Sequence, residues 1–123
     1  MGKVDYATLS RQGKFDNVSA AIRLKAAREF AQLSQKELGD ATGRTVSNIS
    51  NMENARSFPA LEVMMYLWNS HRVDVNFMVG GAYSQLPSDV LVGLMDALAS
   101  VTETTDLLSG SEKPPKNSLK QLP

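Results

Sequence analysis

Apolar residues recur at helical spacing through most of this chain, and the polar residues between them mark where each helix starts and stops. A helix capped by Asn17 or Ser19 and running to about Gln32 carries two apolar stripes. Ala20, Leu24, Ala27 and Ala31 form one, and Val18, Ile22, Ala26 and Phe30 form the other. Leu38 and Ala41 share a face of a helix over about 35–42. Ile49 and Met52 point inward on a helix from Val46 to about Asn54, with Val46 at its rim. Leu61, Met64, Met65, Leu67 and Trp68 give a helix over about 60–69 enough apolar surface to close a bundle. Asp74 caps a short helix through Met78, which Gly80-Gly81 ends. After Pro87-Ser88-Asp89, residues Val90, Leu91, Leu94, Met95, Leu98 and Val101 line one face of a further amphipathic helix. The chain therefore divides into a flexible or loosely docked arm over 1–16, with room for a short helix around Tyr6 to Gln12, an all-α domain over 17–81, a C-terminal helix over 87–102 and a disordered tail over 103–123.

The densest local signals lie between Leu33 and Asn54. Ser34 is an N-cap residue, and Glu37 three positions later completes a capping box. Gly43 stops that helix, because glycine takes the left-handed conformation without a steric penalty. Thr45 caps the next helix, whose outward positions hold Ser47, Asn48, Ser50 and Asn51. A helix exposed only for solubility carries Lys and Glu. Short hydroxyl and amide side chains are poor helix formers, but they suit hydrogen bonding to base edges. Two short helices joined by a glycine turn have the shape of a helix-turn-helix, which sets its second helix in the DNA major groove.

Over roughly Ser19 to Gly80 the sequence resembles the phage-repressor-like helix-turn-helix proteins, of the Cro/repressor or xenobiotic-response-element type. The resemblance rests on Leu33-Ser34-Gln35, Leu38, Gly43, Ile49, Glu53, Arg56 and Pro59. It implies a five-helix, lambda-repressor-like bundle, here followed by the extra C-terminal helix. It implies an ion pair between Arg28 and Glu53, the stripe through Leu24 as the core seam, and base contacts from Val46, Ser47, Asn48 and Asn51. Val46 suits a thymine methyl group, and Asn48 or Asn51 suits adenine. Gln35, Arg44, Asn54 and Arg56 are the candidate phosphate contacts. The second stripe of the first core helix then needs its own partner, either the C-terminal helix or a second subunit. Val90, Leu91, Leu94, Met95 and Leu98 are expected to form a homodimer interface, since two-fold symmetric proteins of this kind read operator half-sites about one DNA turn apart. The chain departs from the pattern at Gly39, Thr42, Arg44 and Ala55. Ala55 stands where glycine is usual, so the turn there either carries strain or takes another conformation.

Composition narrows the function further. Lysine plus arginine equals aspartate plus glutamate over the whole chain, but residues 1–60 hold nine basic and six acidic residues while 61–123 hold four and seven. The positive half contains the helix-turn-helix. With no cysteine, one histidine and no glycine-rich phosphate loop, no catalytic site, metal site or cofactor is expected. No apolar run reaches the length of a membrane span, and the N-terminus lacks a signal-peptide core, so a cytoplasmic location is expected. The function expected is a sequence-specific transcriptional regulator, a repressor binding a palindromic operator as a dimer. The alternatives are an antitoxin that holds a toxin partner, and a protein-interaction module on the same fold that has lost DNA binding.

Overall fold

The computed structural model describes residues 5–112, and every regular element among them is helical. The order is α1 (Tyr6–Leu9), α2 (Asn17–Phe30), α3 (Gln35–Thr42), α4 (Val46–Glu53), α5 (Leu61–His71), α6 (Val75–Gly80) and α7 (Ser88–Glu112). The fold is an all-α helix-turn-helix bundle. Helices α2 to α6 form the five-helix unit, and α7 lies along α2.

Helix α2 is the hub, and both of its apolar stripes are used. Ala20, Leu24 and Ala27 are fully buried, with Leu38, Ile49, Met52, Val63, Leu67 and Phe77 in the same core. On the second stripe Ile22 and Ala26 are buried and Phe30 is half-buried, whereas Val18 is exposed. The N-cap is Asp16 rather than Asn17 or Ser19; its carboxylate accepts from the Ser19 backbone N–H at 3.1 Å.

The partner of the second stripe is α7. Val90, Leu94, Met95 and Leu98 are at most 4% exposed, and Leu91 is half-buried. The face expected to pair with a second copy is thus filled within the chain. Gly93 makes this close fit possible: a Cβ there would stand 2.5 Å from the Phe30 ring. The helix also runs beyond the expected end at residue 102, since no proline interrupts the chain between Pro87 and Pro114. Of the tail expected over 103–123, residues 103–112 are therefore helical, and the rest lie outside the described residues.

The first residues take the docked alternative, with α1 inside the expected stretch from Tyr6 to Gln12, and they are held more firmly than a loose arm. Residues 1–4 of the expected flexible arm lie outside the described residues, but 5–16 are docked. The cause is Arg23, which is 0% exposed in the middle of α2. Its Nε donates to the Ser10 carbonyl at 2.8 Å. Its Nη2 donates to the carbonyls of Arg11 and Lys14, both at 2.6 Å. Its Nη1 reaches the carbonyls of Val79 at 3.0 Å and Met78 at 3.3 Å. One guanidinium thus ties the arm, α2 and α6 together. Gly81, left-handed at φ +77°, is the landing site: a Cβ there would lie 2.6 Å from the Ser10 carbonyl oxygen.

Among the described residues, no helix is long and apolar enough to cross a membrane.

Candidate nucleic-acid interface

The site is built on α3, the turn after it, and α4. The Ser34 hydroxyl accepts from the Glu37 N–H at 3.0 Å while the Glu37 carboxylate accepts from the Ser34 N–H at 2.8 Å. This capping box fixes the start of α3. Gly43 ends it at φ +72°, and the Thr45 hydroxyl accepts from the Asn48 N–H at 3.0 Å to begin α4. Gly39 holds the two helices close: a Cβ on it would stand 2.5 Å from the Arg44 carbonyl oxygen. Alanine at 39 would gain about 1 kcal/mol of helix propensity, but a backbone carbonyl occupies the space.

The inward residues of α4 are Ile49 and Met52, both buried to within 1%. Outward stand Val46 and Ser47, which are exposed, and Asn48, Ser50 and Asn51, which are half-buried. Asn54 caps the C-terminus, and its amide donates to the Ser50 carbonyl at 2.9 Å. Ala55 follows at φ +64°, the left-handed conformation that its resemblance-based glycine counterpart would adopt freely.

Arg28 and Glu53 meet as the resemblance implies. Arg28 Nε and Nη2 donate to the two Glu53 oxygens at 2.6 and 2.9 Å, a planar fork-to-carboxylate pair. Their side chains are 11% and 3% exposed. The hydrogen bond to Glu53 raises the Arg28 pKa above its ordinary value, against the opposing effect of burial. Arg28 Nη1 also donates to the Leu33 carbonyl at 2.9 Å, so this residue joins α2, the entry to α3 and the end of α4.

All four expected phosphate contacts have protein partners, Asn54 on Ser50 as above and the other three on residues of the site. The Gln35 amide donates to Glu53 at 3.0 Å and completes the ion-pair cluster. Arg44 donates to Asn48 Oδ1 at 2.6 Å and to Glu62 at 3.1 Å. Arg56 donates to Asn51 Oδ1 at 3.0 Å. No helix-face spacing announces the two arginine contacts, since Arg44 lies before the Thr45 cap and Arg56 beyond the Asn54 cap. Glu62 opens α5, where its own backbone N–H and Arg44 hold its carboxyl below the ordinary value. An open polar depression at the turn is lined by Thr42, Gly43, Arg44, Thr45, Asn48 and Glu62. No group of His, Cys, Asp or Glu among the described residues has the arrangement to hold a metal ion.

A family model described as a helix-turn-helix domain matches residues 19–75, from the first turn of α2 to the start of α6. No curated protein and no solved structure gives a significant match to the chain. Residues 19–75 are thus similar to a helix-turn-helix domain, with α3 and α4 on either side of the turn, and that similarity points to DNA binding.

Proposed function

We propose that this protein is a sequence-specific transcriptional repressor that lays α4 in the DNA major groove. The observation that carries the reading is the pairing of a short polar outer face on α4 with a rigid mount beneath it. Val46, Ser47, Asn48 and Asn51 form the reading edge, while Ile49, Met52 and the Arg28–Glu53 pair fix the helix to α2. Phosphates flank that edge at the α3 N-terminus beside Gln35, at Asn54, and at the exposed Arg56. The one-sided charge of the first 60 residues supplies a modest non-specific attraction. Occupying a promoter-proximal site excludes other proteins from the same DNA, which is the mode of repression proposed.

The protein acts as a homodimer on a palindromic operator. Because the expected face of α7 is packed within its own chain, the second copy is placed on a strip of Leu61, Met65 and Trp68 that shares one face of α5, 59%, 43% and 51% exposed. These positions are spaced nearly evenly about Met65. An antiparallel α5 from a second copy therefore lays Trp68 on Leu61 twice, the self-complementary pattern a two-fold contact needs.

The test is selection of bound duplexes from a random DNA pool. The expected product is a motif with two inverted half-sites about one helical turn apart. Recovery of no motif would refute base reading, and a single unrepeated half-site would refute the dimer.

A further inference from the structure

Asn48 and Asn51 stand three residues apart on the outward face of α4, and each has an arginine on its amide oxygen. The distances are 2.6 Å from Arg44 to Asn48 and 3.0 Å from Arg56 to Asn51. A guanidinium carries donors only, so its neighbour in an asparagine amide must be the oxygen. This settles which way each amide is turned. Arg44 is itself fixed at its far side by Glu62, so a chain of Glu62, Arg44 and Asn48 runs from α5 across the turn to the reading edge. Neither amide nitrogen has a hydrogen-bond partner among the described residues.

We infer that Arg44 is a positioning residue for base reading, and that the clasped amides present N–H donors to acceptor edges of the major groove. Those edges are guanine N7 and O6 and thymine O4; adenine offers a donor only N7, beside its own N6 amino donor. Two-bond reading of adenine needs the amide oxygen to accept from the base, and here that oxygen is turned to a guanidinium. The half-site therefore favours guanine or thymine over adenine opposite Asn48 and Asn51, because adenine can take only one bond from the turned amide. Arg44 serves this reading through Asn48 instead of anchoring a phosphate. A planar fork reaches Asn48 and Glu62 through two nitrogens at fixed separation, a geometry that lysine does not reproduce.

The inference rests on the DNA-binding reading above, and one experiment separates the two. Wild type, Arg44→Lys, Arg44→Ala and Asn48→Asp are each put through selection from a random duplex pool. Their affinities for the selected site and its single base-pair variants are then titrated at several KCl concentrations, with thermal melting to confirm folding. The wild-type site is expected to show guanine or thymine at the two contacted positions. Arg44→Lys and Arg44→Ala should lose roughly tenfold of the preference at the base pair that Asn48 reads. Arg44→Lys should do so with an unchanged salt slope. Asn48→Asp keeps an oxygen for Arg44 but has no N–H, and it should lose the same preference. Adenine at both positions overturns the inference. So does an Arg44→Lys variant with wild-type preference, or an Arg44→Ala variant that weakens all sequences equally with a salt slope smaller by about one. If wild type itself selects no motif, the proposed function falls, and this inference with it.

Discussion

Arg23 and Arg28 stand five residues apart on α2 and hold buried charge by opposite means. Arg23 is wholly enclosed, and its hydrogen-bond partners are five backbone carbonyls with no carboxylate among them. Burial pushes its pKa down to about 10. Arg28 is slightly open to solvent, grips the Glu53 carboxylate with two nitrogens, and has its pKa raised. The first arrangement joins segments that carry no matching charge: the arm and the end of α6. The second fixes one helix in one orientation, because a planar fork and a carboxylate fit in few ways. Neutral dipoles serve the closure of the fold, and an ion pair serves the site.

The largest effect expected from disturbing this contrast is at Arg23. Arg23→Met keeps the length of the side chain but leaves carbonyls from Ser10, Arg11, Lys14, Met78 and Val79 without their donor. A loss of about 4 kcal/mol or more is expected, with the arm released, since each stranded group costs about 1–3 kcal/mol. Denaturant melts and amide exchange over residues 5–16 measure it. A melt like that of wild type, with the arm still protected, would mean the guanidinium is not the clasp.

Next in size is the Arg28–Glu53 pair. Arg28→Ala and Glu53→Ala should each cost about 3 kcal/mol, because the remaining partner is left buried and unpaired. The double variant should be no worse than either single one. Simple additivity in this cycle would deny the coupling. Unlike Arg23→Met, both single variants should also weaken binding to the selected DNA, since the mount of α4 loosens.

The smallest effect is at Ala55, next to that mount. An alanine at φ +64° costs about 1–2 kcal/mol in the left-handed region. Glycine recovers this but has an unfolded chain richer in conformations, which offsets about 0.4–1 kcal/mol. Ala55→Gly should therefore stabilise by about 0.5 kcal/mol with DNA affinity unchanged. Destabilisation would show that the alanine methyl group packs where the φ angle alone implies strain.

These contrasts track what the sequence makes legible. Caps and stops are local chemistry, so Ser34, Gly43 and Thr45 announce α3 and α4 on their own. Arg28 and Glu53 are readable only through the resemblance, since 25 residues separate them. Arg23 is not readable at all: an arginine in a helical pattern looks like surface, and backbone carbonyls more than 50 residues away leave no mark on the sequence. Helix α7 shows a related limit. Its amphipathic face states that something must cover it, but Phe30 and Gly93 decide that the cover is α2. On α5 the apolar residues are so dense that periodicity does not separate buried Met64 and Leu67 from exposed Leu61, Met65 and Trp68. The reading edge is legible as chemistry, through its short polar side chains. The hydrogen bonds of Arg44 and Arg56 to Asn48 and Asn51 are not, because each arginine looks like a phosphate contact and nothing more.

The central claim is that α4 reads bases, and the most direct test is the affinity of wild type and Asn51→Ala for the selected duplex and for random-sequence DNA at one salt concentration. A loss of about 1–3 kcal/mol on the selected duplex with little change on random DNA is predicted. Equal losses on both would contradict it.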